Sequence, residues 1–160
     1  MTTSLKKSLM DIIVEIVNFF LLMGLHSYGR RVYVDPPCRL RGKKNITIGD
    51  DVSIAAFVHM WGHGGITIGN RVMIGSHTAI TSLTHNPEAE HMYFSKISKP
   101  VVIEDDVWIG SHAMIMPGVT IGKGTVIGAG AIVTSDIPPM VIAMGSPAKV
   151  IRPRRSRREM

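Results

Sequence analysis

The sequence predicts an all-β fold, a triangular parallel β-solenoid, and three observations carry that prediction. The first is a period: aliphatic residues recur six apart within the triplets Ile48-Ile54-Met60, Ile68-Ile74-Ile80, Ile103-Ile109-Ile115 and Ile121-Ile127-Val133. The second is that the residue four after these openers is small or β-branched in nearly every unit, as at Val52, Val58, Val72, Thr78, Thr84, Val107, Ala113, Val119, Thr125 and Ala131. Each of these except Thr84, where the repeat is interrupted, lies two residues before the next opener, so both point to the same side of a strand. The third is the turn chemistry between them, Gly49-Asp50-Asp51, Gly69-Asn70-Arg71, Gly110-Ser111-His112 and Gly122-Lys123-Gly124, residues that tolerate positive φ or bond their own backbone. A period of six cannot keep one helical face apolar, which excludes helix. Three sides per circuit stack short strands about 4.8 Å apart into columns that no single unit could bury alone. Four full coils are visible, and Val34 and Leu40 mark a partial one at the start, giving four to five coils.

Taken in order, residues 1–30 form an N-terminal segment in which 5–25 reads as an amphipathic helix. Asp11, Glu15 and Asn18 make a narrow polar stripe, leaving Leu9, Ile12, Ile13, Ile16 and Phe20 to pack on the body, cap its open end or meet a neighbour. Two acids within the window argue against a spanning helix, and no small-x-small cleavage site follows. A peripheral membrane contact is the second reading. The solenoid occupies residues 34–138. Its spacing stretches to eight from Met60 to Ile68, across Trp61-Gly62-His63-Gly64-Gly65, and to 23 from Ile80 to Ile103. The latter marks an inserted loop, 85–99, opening at Thr84-His85-Asn86-Pro87; so long an insertion in a regular solenoid is usually functional. Residues 139–160 form a C-terminal segment and basic tail.

A chain of 160 residues is one domain, which excludes a two-lobed enzyme. Its 45% hydrophobic and 19% charged residues exclude a disordered, solvating sequence. Cys38 is the lone cysteine, so a reducing cytoplasm is the default. The net charge of +6 is concentrated at the end, where Arg152, Arg154, Arg155, Arg157 and Arg158 face only Glu159. A second cluster comprises Arg30, Arg31, Arg39, Arg41, Lys43 and Lys44. Neither is interleaved with aromatics, so no nucleic acid partner is predicted; a solvated tail, an anionic membrane or substrate phosphates are the alternatives.

The stretch from Pro100 to Arg152 carries Val107-Trp108-Ile109-Gly110, Gly128-Ala129-Gly130, Ile137-Pro138-Pro139 and Gly145-Ser146-Pro147-Ala148. With the loop histidine, it resembles the hexapeptide-repeat acyltransferases, specifically the sugar and polysaccharide O-acetyltransferases related to galactoside and maltose acetyltransferases. The resemblance reaches back to about Ile46. It implies a left-handed β-helix, against the usual right-handed crossover, a homotrimer, and acetyl-CoA as co-substrate between neighbouring subunits, with no metal. It makes His85 the general base, and an alcohol attacking a thioester needs such a base near neutrality; a solvated loop histidine is the plain alternative. For the cofactor it points to Trp108, Ser111, Ala129 and Thr134 along a groove, and to Lys149 and Arg152 near the phosphates. The repeat alone would already want Ala129 small.

For the acceptor, His59 and His63 flank the glycine-rich corner and Asn86 follows the base. Positions that offer Asn and Asp to the sugar in the family fall at Ala55 and His63, so a galactoside is not the expected acceptor. The implied activity is O-acetylation of a sugar or polysaccharide precursor in surface polysaccharide biosynthesis, in the cytoplasm or at the inner face of the membrane.

Apolar residues at outward positions, Met73, Val102, Trp108, Met114, Val126 and Ile132, independently point to self-association. Two competing functions use the same solenoid. A γ-carbonic-anhydrase-like zinc enzyme needs a histidine pair five apart, but the fifth residue after His112 is Pro117 and after His77 is Ser82. A non-catalytic scaffold leaves His85 and its loop idle. His77 and His112 share a corner of successive coils and should stack, as a corner ladder or a metal pair.

Overall fold

The computed structural model describes residues 9–155, and they form a three-sided parallel β-solenoid opened by one helix, α1 (Leu9–Leu22). Coil one comprises β1 (Ser27–Tyr28), β2 (Tyr33–Val34) and β3 (Arg39–Arg41); coil two β4 (Ile46–Ile48), β5 (Ser53–Ile54) and β6 (His59–Trp61); coil three β7 (Ile66–Ile68), β8 (Met73–Ile74) and β9 (Ala79–Thr81). A hairpin, β10 (Leu83–His85) and β11 (Lys96–Ser98), follows. Coil four is β12 (Val101–Ile103), β13 (Trp108–Ile109) and β14 (Met114–Ile115), and coil five β15 (Thr120–Ile121), β16 (Val126–Ile127) and β17 (Ile132–Val133). A second hairpin, β18 (Val141–Met144) and β19 (Lys149–Pro153), closes the described chain.

The sides stack into three sheets, ordered β1-β4-β7-β12-β15, β2-β5-β8-β13-β16-β18-β19 and β3-β6-β9-β14-β17, parallel except for the pairing of β18 with β19. Every predicted opener is buried, and the columns run in register, Leu40-Met60-Ile80-Ile115-Val133 on the third side. The count is five complete coils and a partial sixth, more than the four to five expected. Coil one begins at Ser27 and Tyr28, which pair with Thr47 and Ile48 but present no aliphatic opener. The sixth continues the columns with Ile137 against Ile121 and Ala143 against Ile127. Thr84, expected inside, is only half-buried, because the chain has already left the solenoid there.

One corner is a ladder of left-handed residues. Arg31, Asp51, Arg71 and Asp106 all have φ between 56° and 61°, and successive side chains pair: Arg31 with Asp51, and Arg71 with Asp106 through Nε at 2.6 Å and a second guanidinium nitrogen at 3.0 Å. Beside it, the Asn70 side-chain oxygen accepts from the Asp50 N–H at 2.9 Å, and an Asp105 carboxylate oxygen from the Asn70 N–H at 2.8 Å.

The helix is real but turned differently from expectation. Gly24, at φ 85°, ends it just beyond Leu22; residues 5–8 of the predicted span lie outside the described residues. Leu22 is buried at the end of the core. Asn18, predicted in the solvent stripe, faces the solenoid: its Nδ2 donates to the Val32 carbonyl at 3.2 Å and its Oδ1 accepts from the Val34 N–H at 2.9 Å. The Lys43 ammonium donates to the Phe20 and Met23 carbonyls at 3.1 and 3.0 Å, completing the helix C-terminus. The physical reason is the open edge of coil one, whose unpaired backbone groups an amide satisfies and an isoleucine cannot. In consequence Ile12, Ile13, Ile16, Phe19, Phe20 and Met23 are all exposed.

Candidate active site

The inserted loop is a hairpin with a built foundation. At its base, Thr81 Oγ1 donates to the Leu83 carbonyl at 2.7 Å and accepts from the Leu83 N–H at 3.2 Å, a turn that lifts the chain off the third sheet. Ser82, fully buried, donates its hydroxyl to the Trp61 carbonyl at 2.7 Å and accepts from the Gly64 N–H at 2.9 Å. A Cβ on Gly64 would stand 2.4 Å from the Ser82 carbonyl oxygen, so the glycine-rich corner is the seat on which the hairpin rests. β10 and β11 then pair antiparallel, Leu83 with Ser98, Thr84 with Ile97 and His85 with Lys96.

His85 ends β10. Its Nδ1 lies 2.6 Å from the carbonyl oxygen of Met92. A carbonyl only accepts, so the bond puts a proton on Nδ1, and in the neutral imidazole the lone pair is then on Nε2. The residue borders two clefts. One, of about 350 Å³, lies over the third sheet and is lined by Trp61, Thr81, Leu83, Thr84, Met114 and Met116. The other, of about 410 Å³, lies under the hairpin tip and is lined by Tyr93, Phe94 and Lys96. A depression on the first sheet, between Thr67, Val102, Glu104 and Lys123, involves none of the candidate residues.

The six candidate cofactor residues line neither of the His85 clefts. Trp108 stands half out of the second sheet, in an outward row with Met73, Val126, Ile142 and Arg152. Ser111 and Ala129 stack at the corner between the second and third sheets, where Gly110 leaves no room for a side chain because a Cβ would meet the Ala129 nitrogen at 2.6 Å. Thr134 follows β17 on the third side. Lys149 and Arg152 are exposed on β19, across from Met144 and Ile142. The predicted solvated tail is in part folded: Arg154 donates to the Gly124 carbonyl at 2.7 Å, whereas Arg157 and Arg158 lie outside the described residues. A carbonyl at the turn after Lys123 needed a donor, and the side chain nearest the chain's return supplies it.

Among the acceptor candidates, His59 projects from the third sheet with its ring edge-on to Trp61 at 5.5 Å, and Trp61 lines the cleft over that sheet. His63 is exposed at the glycine-rich corner, its carbonyl accepting from Asn45 Nδ2 at 3.0 Å. Asn86 shapes the tip: its Oδ1 accepts from the Glu88 N–H at 3.1 Å and its N–H donates to the Ser95 carbonyl at 3.0 Å. His77 and His112 stack with ring centroids 4.7 Å apart, and Phe57 continues the stack at 4.7 Å. Among the described residues, no three His, Cys, Asp or Glu side chains group as metal ligands. Cys38 is half-buried, its thiol donating toward the Asp35 carbonyl at 3.0 Å, and burial pushes its pKa up, away from reactivity.

Sequence reasoning passed over Trp61, Tyr93, Phe94 and Lys96. A signal for two of them existed: Tyr93-Phe94 is an adjacent aromatic pair within the insertion of a chain only 6% aromatic. Lys96 gave none, since it becomes notable only through its register opposite His85.

Comparison with known proteins places this geometry among relatives. Residues 100–135 match the family described as bacterial transferase hexapeptide (six repeats). The galactoside O-acetyltransferase of Escherichia coli (strain K12) is 40% identical over 129 residues, 78% of this chain and 62% of that protein. A protein of the same organism, named as an acetyltransferase of colanic acid biosynthesis, is 32% identical over 126 residues, 79% of this chain and 68% of its own. The crystal structure of a hexapeptide-repeat containing acetyltransferase of Vibrio cholerae, complexed with acetyl coenzyme A, superposes with a TM-score of 0.84 at 34% identity, covering 96% of this chain and 81% of that one. The chain spans between 42% and 62% of the length of the first curated relatives it matches.

Proposed function

Because the chain belongs to the hexapeptide-repeat acyltransferases, we propose that it transfers the acetyl group of acetyl-CoA to a hydroxyl of a sugar, with His85 as general base. The observation that carries this reading is the bond from His85 Nδ1 to the Met92 carbonyl, which in the neutral imidazole turns the lone pair of Nε2 toward the junction of two clefts. In the transfer, Nε2 takes the hydroxyl proton as the oxygen attacks the thioester carbonyl. The C–O bond forms, the C–S bond breaks, and the imidazolium returns the proton to the departing sulfur, so atoms and charge balance. A base fixed in one tautomer loses nothing to reorientation at the moment of attack.

The residues present fit coenzyme A in two ways. Ser111 and Ala129 are small residues on successive coils along a corner, and Lys149 and Arg152 are exposed cations on β19. Coenzyme A supplies the activated thioester; the chain's part is to hold the arm and its phosphates. Since these residues and His85 line no common cleft on one chain, a homotrimer with the donor between neighbouring subunits accounts for both sets. The half-exposed Met73 and Trp108 on the second side support such contacts. A sugar acceptor agrees with the galactoside relative, and a role in surface polysaccharide biosynthesis with the colanic acid relative.

We also infer that the end bearing α1 rests on an anionic membrane surface in the cytoplasm. No described helix is long and apolar enough to cross a membrane. The outward apolar face of α1 and the exposed cations Arg39, Arg41 and Lys44 belong to the same, first-coil end of the solenoid, and these cations make none of the ion pairs among the described residues.

The test of the main reading is release of free thiol from acetyl-CoA across a panel of sugars, with the acetyl ester identified by mass spectrometry. Thiol release that depends on a sugar and leaves an ester on it is the expected result. No release with any acceptor would overturn the assignment.

A further inference from the structure

His85 stands between two clefts of different chemistry, and the difference assigns them. The cleft over the third sheet is walled by Trp61, Leu83, Met114 and Met116, an apolar slot suited to an acyl-bearing arm. The cleft under the hairpin tip is walled by two aromatic rings and a cation. Resting on the reading of His85 as base, we propose that the second cleft receives the acceptor and that Lys96 selects a sugar carrying an anionic substituent, a carboxylate or a phosphate.

Three features argue for this. Lys96 is the register partner of His85 across the hairpin, which brings their Cβ atoms to about 4.5–5.5 Å on the same face. A group bound by the lysine therefore stands within one sugar ring of Nε2. Second, the Lys96 ammonium takes part in no ion pair among the described residues, although Glu88 and Glu90 occupy the same tip; Glu90 lies 3.9 Å from His91 instead. An ammonium is a compact charge that matches a carboxylate or phosphate without demanding one orientation. Third, Tyr93 and Phe94 are 79% and 80% exposed, with ring centroids 5.0 Å apart at 88°. Two orthogonal aromatic surfaces left bare are costly to solvate, and the apolar face of a pyranose covers one such ring well. The cation then fixes which end of the sugar points inward and hence which hydroxyl meets His85.

Binding of methyl glucuronide, glucose 1-phosphate and methyl glucoside to the full chain, in the presence of CoA, tests the proposal by saturation-transfer NMR and titration. The anionic sugars are expected to bind at least tenfold more tightly than the neutral one. Lys96→Met should abolish that preference while leaving the neutral sugar unchanged, Lys96→Arg should retain it, and Phe94→Ala should weaken all three. Whichever of carboxylate and phosphate binds more tightly names the substituent. Equal binding of neutral and anionic sugars by the unaltered chain, or a preference that survives Lys96→Met, overturns the proposal. The binding readout is independent of turnover: a Lys96-dependent preference without thiol release would defeat the acetyl-transfer reading and leave the anion subsite standing.

Discussion

His85 and Met92 are seven residues apart in sequence, yet the Met92 carbonyl oxygen lies 2.6 Å from the His85 Nδ1, because the hairpin folds its tip back over the end of β10. The imidazole is thus held by backbone, not by a side chain that a single substitution could remove. His85→Ala should lower kcat by at least two orders of magnitude, since a general base is typically worth about 10²–10⁴. The KM for acetyl-CoA should stay nearly unchanged, because none of the candidate cofactor residues lines a cleft with His85. Steady-state thiol release measures both, and near-normal turnover in the variant would remove His85 from the mechanism.

Arg152, on the returning strand β19, and Arg154, just beyond its end, have opposite expected roles. Arg152 is exposed, and its guanidinium donates to the carbonyl of the adjacent Pro153 at 3.2 Å. Arg154 is half-buried, with its guanidinium on the Gly124 carbonyl and its N–H 2.7 Å from the Met140 carbonyl. Arg152→Ala should raise the KM for acetyl-CoA, because a charge-assisted hydrogen bond is worth roughly 1.5–3 kcal/mol, and leave the melting temperature alone. Arg154→Ala should do the reverse. Identical profiles for the two variants in kinetics and calorimetry would show that their different surroundings decide nothing.

The columns were legible because a period of six writes itself into the sequence at every coil, and the stacking of His77 on His112 followed from their equal place in that period. Phe57 extends the stack, and its place there was not legible because its coil carries a phenylalanine, not a histidine, at that corner. The orientation of α1 was not legible: a 3.6-residue pattern identifies the apolar face, but the decisive contact, Asn18 on the coil-one edge, is a tertiary demand for hydrogen bonds. The hairpin was equally hidden, since antiparallel pairing of Thr84 with Ile97 leaves no repeat to find. For the same reason the candidate base was accessible from sequence whereas the residues facing it, Lys96, Tyr93 and Phe94, were not.

The corner ladder ties stability to acid. The side-chain hydrogen bond from Arg71 holds the Asp106 carboxyl below its ordinary value, against an opposing push from burial, and Arg31 does the same for Asp51. A carboxyl depressed in the folded state contributes stability that is fully present above its unfolded value, near pH 4, and is lost as pH falls through the folded value. The melting temperature should therefore drop below about pH 4. Arg71→Met should be slightly less stable at neutral pH, slightly because the pair is exposed, and its curve should converge on that of the unaltered chain in acid. Curves that stay parallel to the acid limit would mean the pair contributes nothing through protonation.

The last prediction concerns α1. Phe19 and Phe20 are 56% and 58% exposed, and Ile12, Ile13, Ile16 and Met23 share their exposure, so the helix turns its apolar surface away from the body it caps. Arg39 and Arg41 project from coil one at the same end. An amphipathic helix gains buried apolar area at a lipid interface, and each basic residue near an anionic surface adds about 1 kcal/mol. The full chain should co-sediment with vesicles containing phosphatidylglycerol at low salt and with neutral phosphatidylcholine vesicles far less. Phe20→Glu should abolish binding to both by removing the insertion. Arg39→Glu with Arg41→Glu should weaken only the anionic case and flatten its dependence on salt. Asn18 and Leu22 hold the helix to the solenoid and are untouched by either change, so circular dichroism and melting should be unaltered. If the unaltered chain ignores anionic vesicles even at low salt, the membrane surface is not the occupant, and a second copy of the chain, detected by sedimentation equilibrium as an assembly that Phe20→Glu breaks, takes its place.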